Sequence, residues 1–101
     1  MRLSSAIHQF FSKYLPHIKA LSPHTIKAYR DTFKLFLPFA ANYHGIKISS
    51  LQIAHLRVEL ILDFLDSLEK QRQNSAKTRN NRLAALKSLA KMIRFMYPDQ
   101  R

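Results

Sequence analysis

The fold of this 101-residue chain is decided by the stretch Ser22-Pro23-His24-Thr25-Ile26-Lys27-Ala28-Tyr29-Arg30-Asp31-Thr32-Phe33-Lys34-Leu35-Phe36. Ser22 is a good N-cap, and Pro23 suits the first helical position, where the backbone needs no N–H donor. The apolar residues that follow recur at helical spacing, with Ile26 and Phe33 on one stripe. The stretch therefore predicts the start of a long amphipathic helix.

A second helix start of the same kind lies at Ser75, where Thr78 follows three residues later, as Thr25 follows Ser22. A polar turn at residues 71–74 precedes it. Apolar residues at helical spacing continue through the rest of the chain, and the only glycine is Gly45. This pattern predicts one all-α domain over residues 1–101, with helices at about 3–15, 22–44, 56–72 and 75–97.

Positive charge is concentrated in two parts of the chain. The formal net charge is +11, with seven Lys or Arg and one acid in residues 1–47 and the same again in residues 75–101. Residues 48–74 hold three bases and four acids, so this middle part is an ordinary solvated region. Such a distribution favours a localised basic surface, which is typical of nucleic-acid-binding proteins.

The basic residues also follow the helical period. At 100° per residue, the second helix places Lys27, Arg30 and Lys34 together. On the fourth helix one outward arc holds five polar or basic residues: Lys77, Asn80, Lys87, Lys91 and Arg94. A solvated helix face is the alternative for each stripe alone, but two basic stripes together favour binding of nucleic acid. Arg79 and Arg82 add to this prediction because residues 75–98 contain no acid.

The residues that catalysis or metal binding would need are missing. There is no Cys, no glycine-rich phosphate loop and no His-Glu-x-x-His spacing. His55 and Glu59 lie one helical turn apart, but a metal site needs further ligands. We therefore expect no metal, no cofactor and no enzymatic activity in this chain. No apolar stretch approaches the length of a membrane span or a signal peptide, so we expect a cytoplasmic protein that does not contact membranes.

The stretch Leu21–Phe36 resembles the opening of the core-binding domain of tyrosine recombinases and phage integrases. The pattern is a Ser, a Thr three residues later, a Tyr four residues further, and then an apolar run with Phe. The stretch Ser75–Tyr97 is similar to the final helix of that domain, and Leu51, Ile53 and Ile61–Leu68 occupy the places of its linker and third helix. The resemblance covers essentially the whole chain.

The resemblance implies a four-helix, SAM-like bundle that covers one side of double-stranded DNA, while a separate C-terminal catalytic domain closes on the other side. It implies DNA recombination and integration by a bacterial protein associated with the nucleoid, and oligomers on DNA in which the first helix contacts a neighbour. The family's catalytic residues would follow residue 101, so we expect this chain to lack them. The positions that match the family's DNA contacts are Thr25, Lys27, Arg30, Lys34, Lys77, Thr78, Arg79, Asn80, Arg82 and Lys87.

Two other functions remain open at this point. A basic helical bundle could instead bind an acidic protein partner or form oligomers. A freestanding DNA-binding accessory protein would need no catalytic domain. The residues alone do not distinguish these alternatives, and they do not identify a target DNA site.

Overall fold

A computed structural model of the chain describes residues 1–72 and 75–100 and is predominantly helical, with no strand in these ranges. Four α-helices carry the fold. The turn expected at residues 71–74 and the end of the expected domain at Arg101 lie partly outside the described residues. The helices are α1 (Leu3–Gln9), α2 (Pro23–His44), α3 (Val58–Arg72) and α4 (Ala76–Met96).

The first helical stretch is longer than the sequence predicts and changes its geometry on the way. After α1 the chain continues through Phe10–Ile18 in wider, π-helical turns. Pro16 lies inside this part, where α-helical turns would bring its ring against the Ser12 carbonyl. The stretch ends at Ile18, and two residues later Ala20 has a φ of 52°, in the left-handed region. The sequence predicts this end at about residue 15, because a proline ends or bends a helix. Here the helical stretch continues past Pro16 in wide turns and ends three residues later than predicted.

Both ends of α2 have specific caps. Ser22 caps the N-terminus, and Gly45 ends the helix in the left-handed conformation with φ 66°. A glycine suits this position because a side chain at positive φ is strained. After Gly45, two short 3₁₀ turns at Ile48–Ser50 and Ile53–His55 lead to α3.

The connection between α2 and α3 is hydrogen-bonded to the N-terminal residues of the chain. The Leu3 N–H donates to the Leu51 carbonyl at 2.8 Å, and the Ile53 N–H donates to the Met1 carbonyl at 3.0 Å. Both Leu51 and Ile53 are buried. The first helical stretch is therefore joined to the connection as well as to the other helices.

The core is built from the facing sides of all four helices. An aromatic cluster lies at its centre, with the Phe36 ring 5.1 Å from Phe64 and the Phe33 ring 5.8 Å from Phe10. Leu86, which α4 contributes, is fully buried. The Cα radius of gyration of 13.2 Å is that of a compact domain of this size. Within the described residues, no helix combines the length and apolar character needed to cross a membrane.

Candidate nucleic-acid interface

The two Ser-Thr pairs cap their helices in the same way. The Thr25 N–H donates to Ser22 Oγ at 3.2 Å, and Ser22 Oγ lies 3.1 Å from Thr25 Oγ1. At the start of α4 the Thr78 N–H donates to Ser75 Oγ at 3.2 Å, with the two hydroxyls also 3.2 Å apart. Each threonine hydroxyl is thus already engaged with its own cap. The first turns keep the partial positive charge of a helix N-terminus.

The basic residues of α2 occupy two different settings. Lys27 and Lys34 are exposed on the side of the helix away from the buried Phe33 and Phe36. Arg30 is on the flank that faces the first helical stretch, with its guanidinium carbon 5.4 Å from the centre of the Phe11 ring. The predicted stripe therefore contains two outward lysines and one arginine stacked on an aromatic side chain.

The outward arc of α4 is exposed along its length. The five polar or basic side chains that the helical period places together are all exposed: Lys77, Asn80, Lys87, Lys91 and Arg94. The opposite side of the same helix is buried and includes Ala85 and Met92. The charged face of α4 is thus cleanly separated from its core face.

Arg79 does not belong to this arc. It is half-buried on an inner flank of α4, where its Nη2 lies 3.2 Å from Asp66 Oδ1 and its Nε lies 3.5 Å from Glu69 Oε1. The sequence predicts Arg79 as a DNA contact because no acid lies near it in the chain, but α3 supplies two acids, Asp66 and Glu69. Its positive charge is therefore partly neutralised within the protein. Arg82 is half-buried as well.

A cleft of roughly 650 Å³ lies between α4, the start of α2 and the turn after the first helical stretch. Four basic side chains line it, and no acid does: Lys19, Lys87, Lys91 and Arg94. The remaining lining is mostly apolar and includes Leu21 and Tyr29. Of the ten predicted contact residues, only Lys87 lines this cleft, and Lys19 has no part in either stripe that the sequence predicts.

The described part of the chain contains no cluster of side chains that could hold a metal ion. No three His, Asp or Glu side chains there lie close enough to hold a metal ion. His55 caps a 3₁₀ turn, since its Nδ1 accepts the Gln52 N–H at 2.8 Å. Its carbonyl lies 3.3 Å from His44 Nε2, so the two histidines serve the connection between α2 and α3.

Comparison with known proteins identifies relatives for most of the chain. The family described as phage integrase, N-terminal SAM-like domain matches residues 7–94. A Sinorhizobium fredii protein named as an integrase/recombinase, y4rC, is 36% identical over 97 residues, which cover 96% of this chain and 29% of that protein. A second one from the same organism, y4rD, is 37% identical over 86 residues, which cover 85% of this chain and 31% of that protein.

The chain spans less than a third of the length of either relative. No solved structure matches it significantly. The family match covers most of the chain, the helical fold agrees with it, and the resemblance seen in the sequence is thereby confirmed. The chain belongs to the family of N-terminal SAM-like domains of phage integrases.

Proposed function

We propose that this chain is the DNA-binding part of a tyrosine-type site-specific recombinase and grips the duplex at the recombination site. The observation that carries the proposal is the exposed basic arc of α4, which is free of acids. Three residues of this arc also line the cleft described above, here called the four-cation cleft after Lys19, Lys87, Lys91 and Arg94. Exposed cations at this density neutralise DNA phosphates and release counterions, which provides the affinity. Lys27 and Lys34 of α2 are exposed as well and add two further cations to the surface of the domain.

In this proposal the chain binds and positions the DNA duplex but does not catalyse the reaction. Strand exchange through a phosphotyrosyl intermediate would be the work of a catalytic domain elsewhere in the parent protein. That division agrees with the small share of the relatives that the chain covers. The protein would act on nucleoid DNA in the cytoplasm of a bacterium, and copies of it would assemble on DNA.

The test is the salt dependence of binding to a fluorescein-labelled DNA duplex, measured by fluorescence anisotropy. Each phosphate contact adds about −0.9 to the slope of log K against log salt. With five to eight contacts, affinity falls about 500-fold or more between 50 and 200 mM salt. Substituting Lys27, Lys34 and Lys77 together by Gln makes the slope shallower by roughly 2 to 3.

A control variant carries Gln at three exposed basic residues outside the α2 and α4 arcs: Lys47, Arg57 and Lys70. It has the same net charge as the test variant, so a general effect of charge would change both equally. The proposed function is wrong if the chain shows no duplex binding at about 100 µM in 50 mM salt, where even non-specific DNA binding is readily detected. Equal slopes for the two variants would contradict a localised DNA-binding surface.

A further inference from the structure

Two histidines lie against each other where α2 ends and the connection to α3 begins. The ring centres of His44, the last residue of α2, and His55, in the second 3₁₀ turn, are 4.7 Å apart. Both residues are half-buried, whereas the other three histidines of the chain are exposed: His8, His17 and His24. The pair therefore has a setting that no other histidine of this chain shares.

One hydrogen bond fixes the protonation state of His55. The Gln52 N–H donates to His55 Nδ1 at 2.8 Å. Because a backbone N–H can only donate, this nitrogen must offer a lone pair and carry no proton. The ring is therefore neutral while the bond exists, with its proton on Nε2. The same two residues close the turn through their backbones, since the His55 N–H donates to the Gln52 carbonyl at 3.0 Å.

His44 adds a second condition. Its Nε2 lies 3.3 Å from the His55 carbonyl. A carbonyl can only accept, so His44 Nε2 carries a proton whether its ring is neutral or charged. Charging both rings would place two cations next to each other, and they would repel at this short distance. The arrangement is thus favourable when the imidazoles are neutral and unfavourable when both are protonated.

The other charged and titratable groups around the pair come from each segment packed against it. Tyr43 of α2, Arg57 of the connection and Glu59 of α3 line the same cavity as the two rings. On the side of the N-terminal residues are Arg2, which forms an isolated β-bridge with the donor of the His55 bond, and the α-amino group of Met1. Only Glu59 among these groups would stabilise a charged imidazole, and the cationic groups oppose it.

The turn that His55 closes also holds the N-terminal residues. The Ile53 N–H donates to the Met1 carbonyl at 3.0 Å, and the Leu51 carbonyl accepts the Leu3 N–H at 2.8 Å. The side chains of Leu51 and Ile53 are buried. A change at His55 is therefore adjacent to the bonds that join the first helical stretch to the connection.

We propose that His44 and His55 form a pH-sensitive clasp, which closes the connection between α2 and α3 when both rings are neutral and opens it when they are protonated. A free imidazole titrates near about pH 6.5. A proton on His55 Nδ1 turns the acceptor into a donor that faces the Gln52 N–H, so the bond is lost as the pH falls. Opening loosens the N-terminal residues from the connection. The clasp does not depend on DNA binding.

Amide hydrogen exchange, followed by NMR at about pH 7.5 and about pH 5.5, tests the clasp. The closed turn excludes the proton that an open turn binds at the free-imidazole value, so this step in pH favours opening at least about tenfold. We expect the protection factors of the Gln52, Ile53 and Leu3 amides, corrected for intrinsic exchange rates, to fall by that factor. The buried Leu86 in α4 reports global unfolding and should keep its protection.

The variant His55→Asn separates the clasp from other effects of pH. Its side-chain oxygen replaces Nδ1 as acceptor but does not titrate, so protection at Gln52 should stay the same at both pH values. The control H8Q/H17Q/H24Q removes the three exposed histidines and should lose protection as the unsubstituted chain does. His44→Gln removes the second cation and should lose less.

Several results would overturn the clasp. Equal protection of Gln52 at both pH values in the unsubstituted chain would do so, and so would a full tenfold loss in His55→Asn. An equal loss in His44→Gln and the unsubstituted chain would remove His44 from the clasp. Should His55→Asn fail to fold, the ¹⁵N chemical shift of His55 Nδ1 decides in the unsubstituted chain, since a protonated Nδ1 at about pH 7.5 is incompatible with the Gln52 bond.

Discussion

At the scale of single residues, Arg79 shows how a charge changes its role when helices pack. A cation in the first turn of a helix is unfavourable beside the positive end of the helix dipole. The carboxylates of Asp66 and Glu69 offset this cost, and their contacts with Arg79 join α3 to α4. Arg79 is therefore a structural link between α3 and α4, and under the proposed function a DNA phosphate would have to compete with two carboxylates for its guanidinium.

Replacing Arg79 by Ala is expected to lower the free energy of unfolding by about 0.5 to 1 kcal/mol. The value is small because exposed ion pairs contribute little, and here the side chain of Asp66 is 56% exposed. Urea unfolding at low and high salt measures the effect, which should shrink as salt screens the pair. Lys77→Ala is the matched control in the same helical turn, and an equal loss from it would contradict this role of Arg79.

At the scale of elements, the equivalent N-caps explain why α2 and α4 begin where they do. Both helices start one residue after a serine whose Oγ accepts an N–H three residues later. The two helices are also the ones that carry the exposed basic arcs. Each cap therefore sets the residue at which the helix that carries a basic arc begins.

Ser22→Ala and Ser75→Ala are each expected to destabilise the protein by about 1 kcal/mol, because the first turn loses its side-chain acceptor. For a domain of this size that corresponds to a fall in Tm of roughly 4 to 8 °C. Thermal unfolding followed by circular dichroism measures it. Glycine at the same two positions serves as control, since it costs only a few tenths of a kcal/mol as an N-cap. A loss with Gly as large as that with Ala would rule out the capping explanation.

At the scale of the whole molecule, aromatic packing holds the first helical stretch on the bundle. Phe10 is fully buried, and its ring lies 6.4 Å from Tyr29 and 5.8 Å from Phe33, both on α2. This packing also positions the turn that carries Lys19. The cleft lined by Lys19, Lys87, Lys91 and Arg94 therefore depends on the packing of the core as well as on the helix that carries most of its charges.

Phe10→Ala is expected to cost about 3 to 5 kcal/mol, because it leaves a cavity between the first helical stretch and α2. That is a large part of the 5 to 15 kcal/mol by which domains are usually stable. Phe95→Ala is the control, since Phe95 is 69% exposed and its loss should stay within about 0.5 kcal/mol. Denaturant midpoints compare the two variants, and similar midpoints would mean that Phe10 is not a core residue in solution.

The sequence by itself determined the helical class, the two capped helix starts and the outward arc of α4. These features depend on residues that are close together in the chain. The helical period of 3.6 residues determines which of them lie on the same face of a helix. Local reasoning predicted that Pro16 ends or bends the first helix, but it could not tell an end at residue 15 from the wide turns that continue past the proline to Ile18.

Only the tertiary structure decided which side chains meet across helices. It paired Arg79 with Asp66 and Glu69, and it set Lys19 opposite Lys87 although 67 residues separate them in the chain. Contacts of this kind depend on the angle and register at which helices pack, and no local period encodes these. The basic arcs could thus be predicted from the sequence. The cleft that combines three cations of the α4 arc with Lys19 forms only when the bundle is assembled.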